Sequence, residues 1–273
     1  MKMAQETIKI PILDASGKKT GDVEVASFGY IRDDIFKKAT LAESSWGRQG
    51  YGADPQAGKK QVIHMSRRRR KSRTSYGRSM ARIPRKVMWS RGTQFSFKGA
   101  FAAMTVGGRK AHAPTGNKNW VKQMNNKEWQ KALQTGFMAS LDPVRIKALG
   151  QRVPEMYPFI LDNSVEESIS KTKDAKEMCS KLGLSNEIER TSVVKIRAGK
   201  GTMRNRRYTV KRGPLFVVSN IDAPLLKAIR NIKGFEVVTP EFLMVQDFAM
   251  AHNPGRMVIF TKSAHDEFME VVN

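Results

Sequence analysis

The sequence predicts an α/β fold: a three-layer arrangement in which a mostly parallel sheet is flanked by helices, with a long extended internal loop inserted in it. Three observations predict this. Short apolar runs alternate with amphipathic helical patterns at the start and through the second half of the chain, the signature of helices packed on a sheet. Several of those runs are continuously apolar, as strands buried on both faces are. Residues 46–124 break the pattern with glycine, arginine and no sustained hydrophobic period.

Taken in order, Thr7 to Leu13 places Ile8, Ile10 and Ile12 on one face, and Gly21 to Val25 offers a second strand carrying Val23 and Val25. Asp14-Ala15-Ser16-Gly17 supplies turn chemistry between them, so the pair reads as a hairpin. Residues 31–45 read as a helix that ends before a glycine-rich stretch. Regular structure resumes at Glu128, where Trp129, Ala132, Leu133, Gly136 and Phe137 recur at three- and four-residue spacing and make one helical face. Tyr157 to Leu161 is a short apolar run, read as a buried strand. Ser164 with Glu167 has the spacing of a capping box, opening a helix whose buried stripe is Ile169, Thr172, Ala175, Cys179 and Leu182.

The last third repeats the alternation. Leu215 to Ser219 is a strand. Asp222 stands at an N-cap position, Pro224 falls in the first helical turn, and Gly234 closes the helix. Phe235 to Thr239 and Met257 to Thr261 are strands, and Ser263 to Val272 is a helix. Residues 1–45 and 125–273 thus form one discontinuous body, and 46–124 is an insertion within it. A long insertion without periodicity inside a domain reads as a functional extension. Its composition cannot bury enough apolar surface to offset its ordering entropy.

The charge says what such an extension is for. The 273 residues hold 49 Lys and Arg against 25 Asp and Glu, a formal +24. An excess of this size calls for a polyanionic partner, nucleic acid first and an anionic membrane second. The longest uncharged, mostly apolar run, Gly99 to Gly108, is far too short to span a bilayer. The N-terminus lacks the apolar core of a signal peptide, and a single cysteine, Cys179, excludes an internal disulfide and fits a reducing cytosol. From Pro55 to Lys127 there is no acid, and 19 residues are Lys or Arg. A second acid-free window, Thr191 to Ile221, holds Lys195, Arg197, Lys200, Arg204, Arg206, Arg207, Lys211 and Arg212. Arginine interleaved with Gly, Ser and aromatic rings combines phosphate forks with backbone that approaches closely and rings that stack on unpaired bases.

Catalytic readings are weaker. The Gly199-Lys200-Gly201 core lacks the first glycine of a Walker A loop, because Val194 stands there, and Gly201 replaces the Ser or Thr after the lysine. A dinucleotide fingerprint needs a final glycine, and Arg204 occupies that place. His64, His112, His252 and His265 have no Cys or His partner at zinc-ligand spacing and read as surface or RNA-facing residues. Asp33, Asp34 and Asp162 are the weak candidates for nuclease carboxylates, with surface acids and a strand-end turn as the plainer reading. No cofactor, no metal and no enzymatic activity are expected.

Particular motifs then carry a resemblance. Gly77 to Arg85 (GRSMARIPR), Gly107 to Pro114 (GGRKAHAP), Arg197 to Pro214 (RAGKGTMRNRRYTVKRGP), Tyr51 to Lys60 (YGADPQAGKK) and Arg230 to Pro240 (RNIKGFEVVTP) together resemble the large-subunit ribosomal protein L-four family, in its archaeal and eukaryotic branch. The likeness runs over nearly the whole chain. Ala113 and Thr202 depart from it, where the family commonly has Pro and Lys.

The resemblance implies a cytoplasmic, ribosomal, non-catalytic protein that binds large-subunit ribosomal RNA and sits beside neighbouring ribosomal proteins. It implies a body on the solvent side of the subunit, and an extended loop whose tip lies near the nascent polypeptide in the exit tunnel. By matching motif, Arg67, Arg68, Arg69, Arg70, Lys71, Arg73, Arg78, Arg82, Arg85 and Lys86 fall in the loop. Arg109, Lys110 and His112 fall on its return. Arg197, Lys200, Arg204, Arg206, Arg207, Lys211 and Arg212 form a second RNA-facing segment. The alternative is a free RNA-binding regulator acting on messenger RNA, separated from the first reading by co-sedimentation with large subunits.

Overall fold

Strand β1 (Thr7–Leu13) pairs antiparallel with β2 (Lys19–Ala26) across a turn in which Gly17 has φ +79° and its N–H bonds to the Asp14 carbonyl. The computed structural model to which these strands belong describes residues 7–64 and 66–272. The first six residues, which carry the argument against a signal peptide, lie outside that range. Helix α1 (Asp33–Trp46) follows, then the insertion with β3 (Arg85–Arg91) and β4 (Gln94–Gly99). The chain continues through α2 (Asn126–Leu141), α3 (Pro143–Ala148), β5 (Ile160–Leu161), α4 (Ser164–Ser168), α5 (Thr172–Lys181) and α6 (Ser185–Ser192). A short ribbon, β6 (Lys195–Ile196) and β7 (Tyr208–Thr209), leads to β8 (Leu215–Val217), α7 (Pro224–Arg230) and β9 (Glu236–Val238). The small pair β10 (Ala249–Met250) and β11 (Asn253–Pro254) precedes β12 (Val258–Phe260) and α8 (Lys262–Val272).

Two three-stranded sheets, β2-β1-β5 and β12-β8-β9, are joined by a parallel bridge between Leu161 and Thr261. The combined order is β2-β1-β5-β12-β8-β9, and every neighbour pair except β1–β2 is parallel. Successive strand residues point to opposite faces, and the core divides accordingly. Leu13, Leu161, Phe216 and Ile259 pack with Val165 of α4, Cys179 of α5 and Leu225 and Ile229 of α7. Ile160, Leu215, Val217, Val258 and Phe260 pack on the other side with Phe36 of α1, Leu133 and Phe137 of α2 and Phe268 of α8. Helix, sheet and helix make three layers, as the alternation predicts. Each of these fully buried Phe or Leu side chains contributes about 1.5–3 kcal/mol relative to exposure.

Local details differ from the sequence reading. Ser164 does not form a capping box: its hydroxyl donates to Asp162 Oδ2 at 2.7 Å, and no side chain caps α4. Ile169 adopts extended backbone and is buried, so the single predicted helix becomes α4 and α5. Asp222 is not the cap of α7 either; Ala223 holds that position, although Pro224 does open the helix. His265 is buried among Phe137 and Phe260 rather than at the surface.

Residues up to Gly47 together with Val121 onward make one compact unit, and Arg48–Trp120 make another. The second contains regular structure that periodicity does not announce. Strands β3 and β4 pair antiparallel, with an irregularity between Val87 and Trp89. Phe95 and Phe97 contact each other with ring centroids 4.5 Å apart. The outgoing and returning legs also bond: Ala53 N–H to the Pro114 carbonyl at 2.8 Å, and His64 N–H to the Arg85 carbonyl at 2.9 Å. Gly58, at φ +74°, lets them approach, since a Cβ there would meet the Gly108 carbonyl oxygen at 2.6 Å.

Candidate nucleic-acid interface

The second basic window is an exposed two-stranded ribbon. Lys195 pairs with Thr209 and Ile196 with Tyr208, and Arg197 N–H bonds to the Arg207 carbonyl at 2.7 Å. The connecting segment is held by its own polar groups. Thr202 Oγ1 donates to the Arg197 carbonyl at 2.6 Å, Arg197 Nε donates to the Arg206 carbonyl at 3.1 Å, and Arg206 N–H reaches the Gly201 carbonyl at 3.0 Å. Asn205 takes the left-handed conformation, φ 59°, which Asn tolerates better than most residues. Arg197, Lys200, Arg204, Arg206, Arg207 and Lys211 are therefore exposed on a locally fixed backbone.

Arg212 belongs elsewhere. Its Nη1 donates to the Gln246 and Ala249 carbonyls, both at 3.0 Å, and its Nε and Nη2 reach Glu236 Oε2 at 3.1 and 2.8 Å. The expectation that it faces RNA does not fit this arrangement, because its donors are spent inside the body. The same carboxylate oxygen accepts from Nη1 of Arg256, which is fully buried. Burial alone would push the Glu236 carboxyl up, but the Arg212 hydrogen bond and the two guanidinium charges hold it below its ordinary range.

In the insertion, Arg67, Arg68, Arg69, Arg70, Lys71 and Arg73 are exposed. A turn beneath them is tied by Thr74, whose hydroxyl donates to the Ser66 carbonyl at 3.1 Å and accepts from Tyr76 N–H at 3.2 Å. Three arginines are oriented by neighbours. Arg78 lies over the Phe95 ring at 4.4 Å, Arg82 over Tyr76 at 4.5 Å, and Arg73 donates to Ser90 Oγ at 2.9 Å. Cation–π contacts of this kind leave guanidinium edges free to fork onto phosphate. Arg85 and Lys86, in β3, are only half-exposed, and Arg85 Nη2 donates to the Ala81 carbonyl at 3.1 Å. On the returning leg Lys110 and His112 are exposed and Arg109 is partly covered.

The sequence reading did not single out Trp120. It stacks on Tyr51 with centroids 5.1 Å apart, and Arg48 and Lys118 lie 5.3 and 4.7 Å from its ring. The interleaving of aromatic and basic residues was legible, but which ring meets which cation was not.

Weak catalytic candidates are otherwise engaged. Asp33 pairs with Arg145 Nη1 at 2.8 Å. Asp34 is held below the usual carboxylate range first by its hydrogen bond from Arg32, and Asp162 first by the Ser164 hydroxyl. Burial pushes the Cys179 thiol up to about 12, which leaves it an inert core group. Among the described residues no cluster of His, Cys, Asp or Glu could hold a metal ion, and no helix is long and apolar enough to cross a membrane. The two acid-free windows hold 27 of the 49 cations, so the rest of the chain, with 22 cations against 25 acids, is slightly negative. The net positive charge is thus concentrated in these two windows.

Comparison with known proteins matches residues 23–271 to a family model described as the ribosomal protein L4/L1 family. A protein of Nanoarchaeum equitans named large ribosomal subunit protein uL4 is 36% identical over 265 residues, covering 96% of this chain and 98% of that one. Its namesake in Sulfolobus acidocaldarius is 35% identical over 270 residues, 97% and 95% of the two chains. That of Saccharolobus solfataricus is 33% identical over 264 residues, 94% and 92%.

Proposed function

The chain belongs to the ribosomal protein L4/L1 family, and from that premise we propose that it binds large-subunit ribosomal RNA through two separate basic surfaces and sends its inserted loop toward the nascent-peptide exit tunnel. It is a structural protein of the large ribosomal subunit, not an enzyme. The observation that carries the RNA reading is the segregation of charge. An acid-free ribbon and an insertion whose only acid is Asp54 carry the cationic excess, while the rest of the chain is slightly negative. Arg197, Lys200, Arg204, Arg206, Arg207 and Lys211 neutralise phosphates from a fixed backbone. Arg67, Arg68, Arg69, Arg70, Lys71, Arg73, Arg78 and Arg82 do so from the insertion, with Arg85, Lys86, Arg109, Lys110 and His112 at its flanks. A compact body touches only the outside of folded RNA, whereas an inserted segment reaches between RNA helices whose phosphates repel one another.

Neighbouring ribosomal proteins and the growing polypeptide are the further partners of this reading, and the cytoplasmic ribosome is its location. A tagged chain expressed in its host should co-sediment with large subunits in one-to-one ratio. A chain found mainly in free messenger complexes would overturn the assignment in favour of a regulator. Replacing Arg67–Arg70 by serine should leave that ratio intact and change ribosome stalling on tunnel-sensitive peptides. Unchanged stalling would place the loop tip away from the tunnel.

A further inference from the structure

Phosphate contacts leave the apolar residues of the β6–β7 ribbon unused. Ile196 and Tyr208 stand directly opposite one another in the antiparallel register, and such cross-strand partners share a face. Both are mostly exposed, at 67% and 60%. The same pair lines an open concavity with Thr202, Asn205, Arg206 and Arg207. An aliphatic side chain beside an aromatic ring gives a flat apolar platform, and the surrounding groups are two cations, a hydroxyl and an amide. The internal hydrogen bonds of residues 197–206 fix this arrangement before any ligand arrives.

This composition suits a nucleotide that has left its helix. A paired duplex offers phosphate and sugar but hides the faces of its bases, whereas an unpaired base offers a π face that stacks on Tyr and an edge that hydrogen-bonds. We propose that this face of the ribbon is a receptor for one unstacked RNA nucleotide. The base stacks on Tyr208 against Ile196, beside the Arg207 guanidinium that lies 5.9 Å from the ring centroid. The flanking phosphates meet Arg206 and Arg207, Asn205 faces the base edge, and Thr202, whose hydroxyl proton goes to the Arg197 carbonyl, accepts from the base edge or the ribose 2′-hydroxyl. The receptor rests on the RNA-binding reading and adds a preference that electrostatics alone does not give.

The test uses the full chain and two synthetic RNA hairpins with equal numbers of phosphates, one fully paired and one with a single unpaired adenosine in its stem. The chain should bind the bulged hairpin about tenfold more tightly, a ratio expected from one base–aromatic stack. Tyr208→Ala should bring the ratio to one while leaving affinity for the paired hairpin and its salt dependence unchanged. Tyr208→Phe should keep the ratio, because stacking needs the ring and not the hydroxyl. Equal affinity of the unaltered chain for both hairpins, with a steep salt dependence, would overturn the receptor and leave the RNA-binding reading standing. A preference that survives Tyr208→Ala would also overturn it, by placing the base elsewhere. Binding to neither hairpin would sink both readings.

Discussion

Arg212 Nη2 lies 2.8 Å from Glu236 Oε2, which fastens the end of the basic ribbon to the edge strand of the sheet. The carboxylate also serves the buried guanidinium of Arg256 at 2.7 Å. One acid therefore anchors the basic ribbon and satisfies a charge that has no access to water.

Glu236→Gln removes that charge, and breaking a buried pair by losing one partner is costly. Glu236 is itself partly exposed, so the expected loss at pH 7 is about 1–3 kcal/mol, read from thermal or urea unfolding. Because the folded-state value is lowered, this stabilisation is present above the unfolded carboxyl value and is lost as pH falls through the folded one. The gap between the parent and Glu236→Gln should accordingly narrow from pH 7 to pH 3. A gap that stays constant would mean that the carboxylate charge contributes nothing.

Binding to structured RNA should weaken steeply with salt. If about ten phosphates are neutralised, log affinity against log salt has a slope on the order of −7 to −9. A slope near −2 would contradict an interface made of phosphate contacts.

The ribbon should contribute more affinity per arginine than the insertion tip. Arg204, Arg206 and Arg207 stand on a backbone fixed by Thr202 and Arg197, so less ordering entropy is lost when they bind. Replacing these three by alanine should weaken RNA binding more than replacing Arg67, Arg68 and Arg69. The reverse ranking in a titration would make the insertion the anchor.

Trypsin should cut first in the exposed run Arg67–Lys71, and later at Arg85, which is half-buried in β3 with its backbone carbonyl bonded to His64 N–H. RNA should protect the first set of bonds. Cleavage at equal rates with and without RNA would mean that the run stays free in the complex.

Gly58→Ala should separate the two legs of the insertion. A left-handed φ costs a non-glycine residue about 1–3 kcal/mol, and the new Cβ would meet the Gly108 carbonyl oxygen at 2.6 Å and Arg109 Cα at 2.7 Å. Faster tryptic cleavage after Arg109 and Lys110 is the expected readout. Unaltered rates would show that this close approach does not hold the legs together.

The alternation of apolar runs and helical faces determined the layer order, because burial on two faces of a parallel sheet forces Leu215 to Val217 and Val258 to Phe260 to be apolar throughout. The charge windows pointed to a polyanionic partner, since the rest of the chain carries only a slight negative excess. Some signals were present and went unread: Asp142 before Pro143 caps α3 by accepting from Val144 N–H and Arg145 N–H. Tertiary structure alone decided which cations are free. Arg212 and Arg207 look alike in the sequence, yet one is drawn inward by Glu236, 24 residues on, and the other stays on the ribbon. It also decided that Ile196 and Tyr208 share a face, and that Phe95 and Tyr76 lie under Arg78 and Arg82. Composition fixes how much charge and apolar surface a segment carries. Which groups meet depends on strand register and chain return, and these are set by packing between residues far apart in sequence.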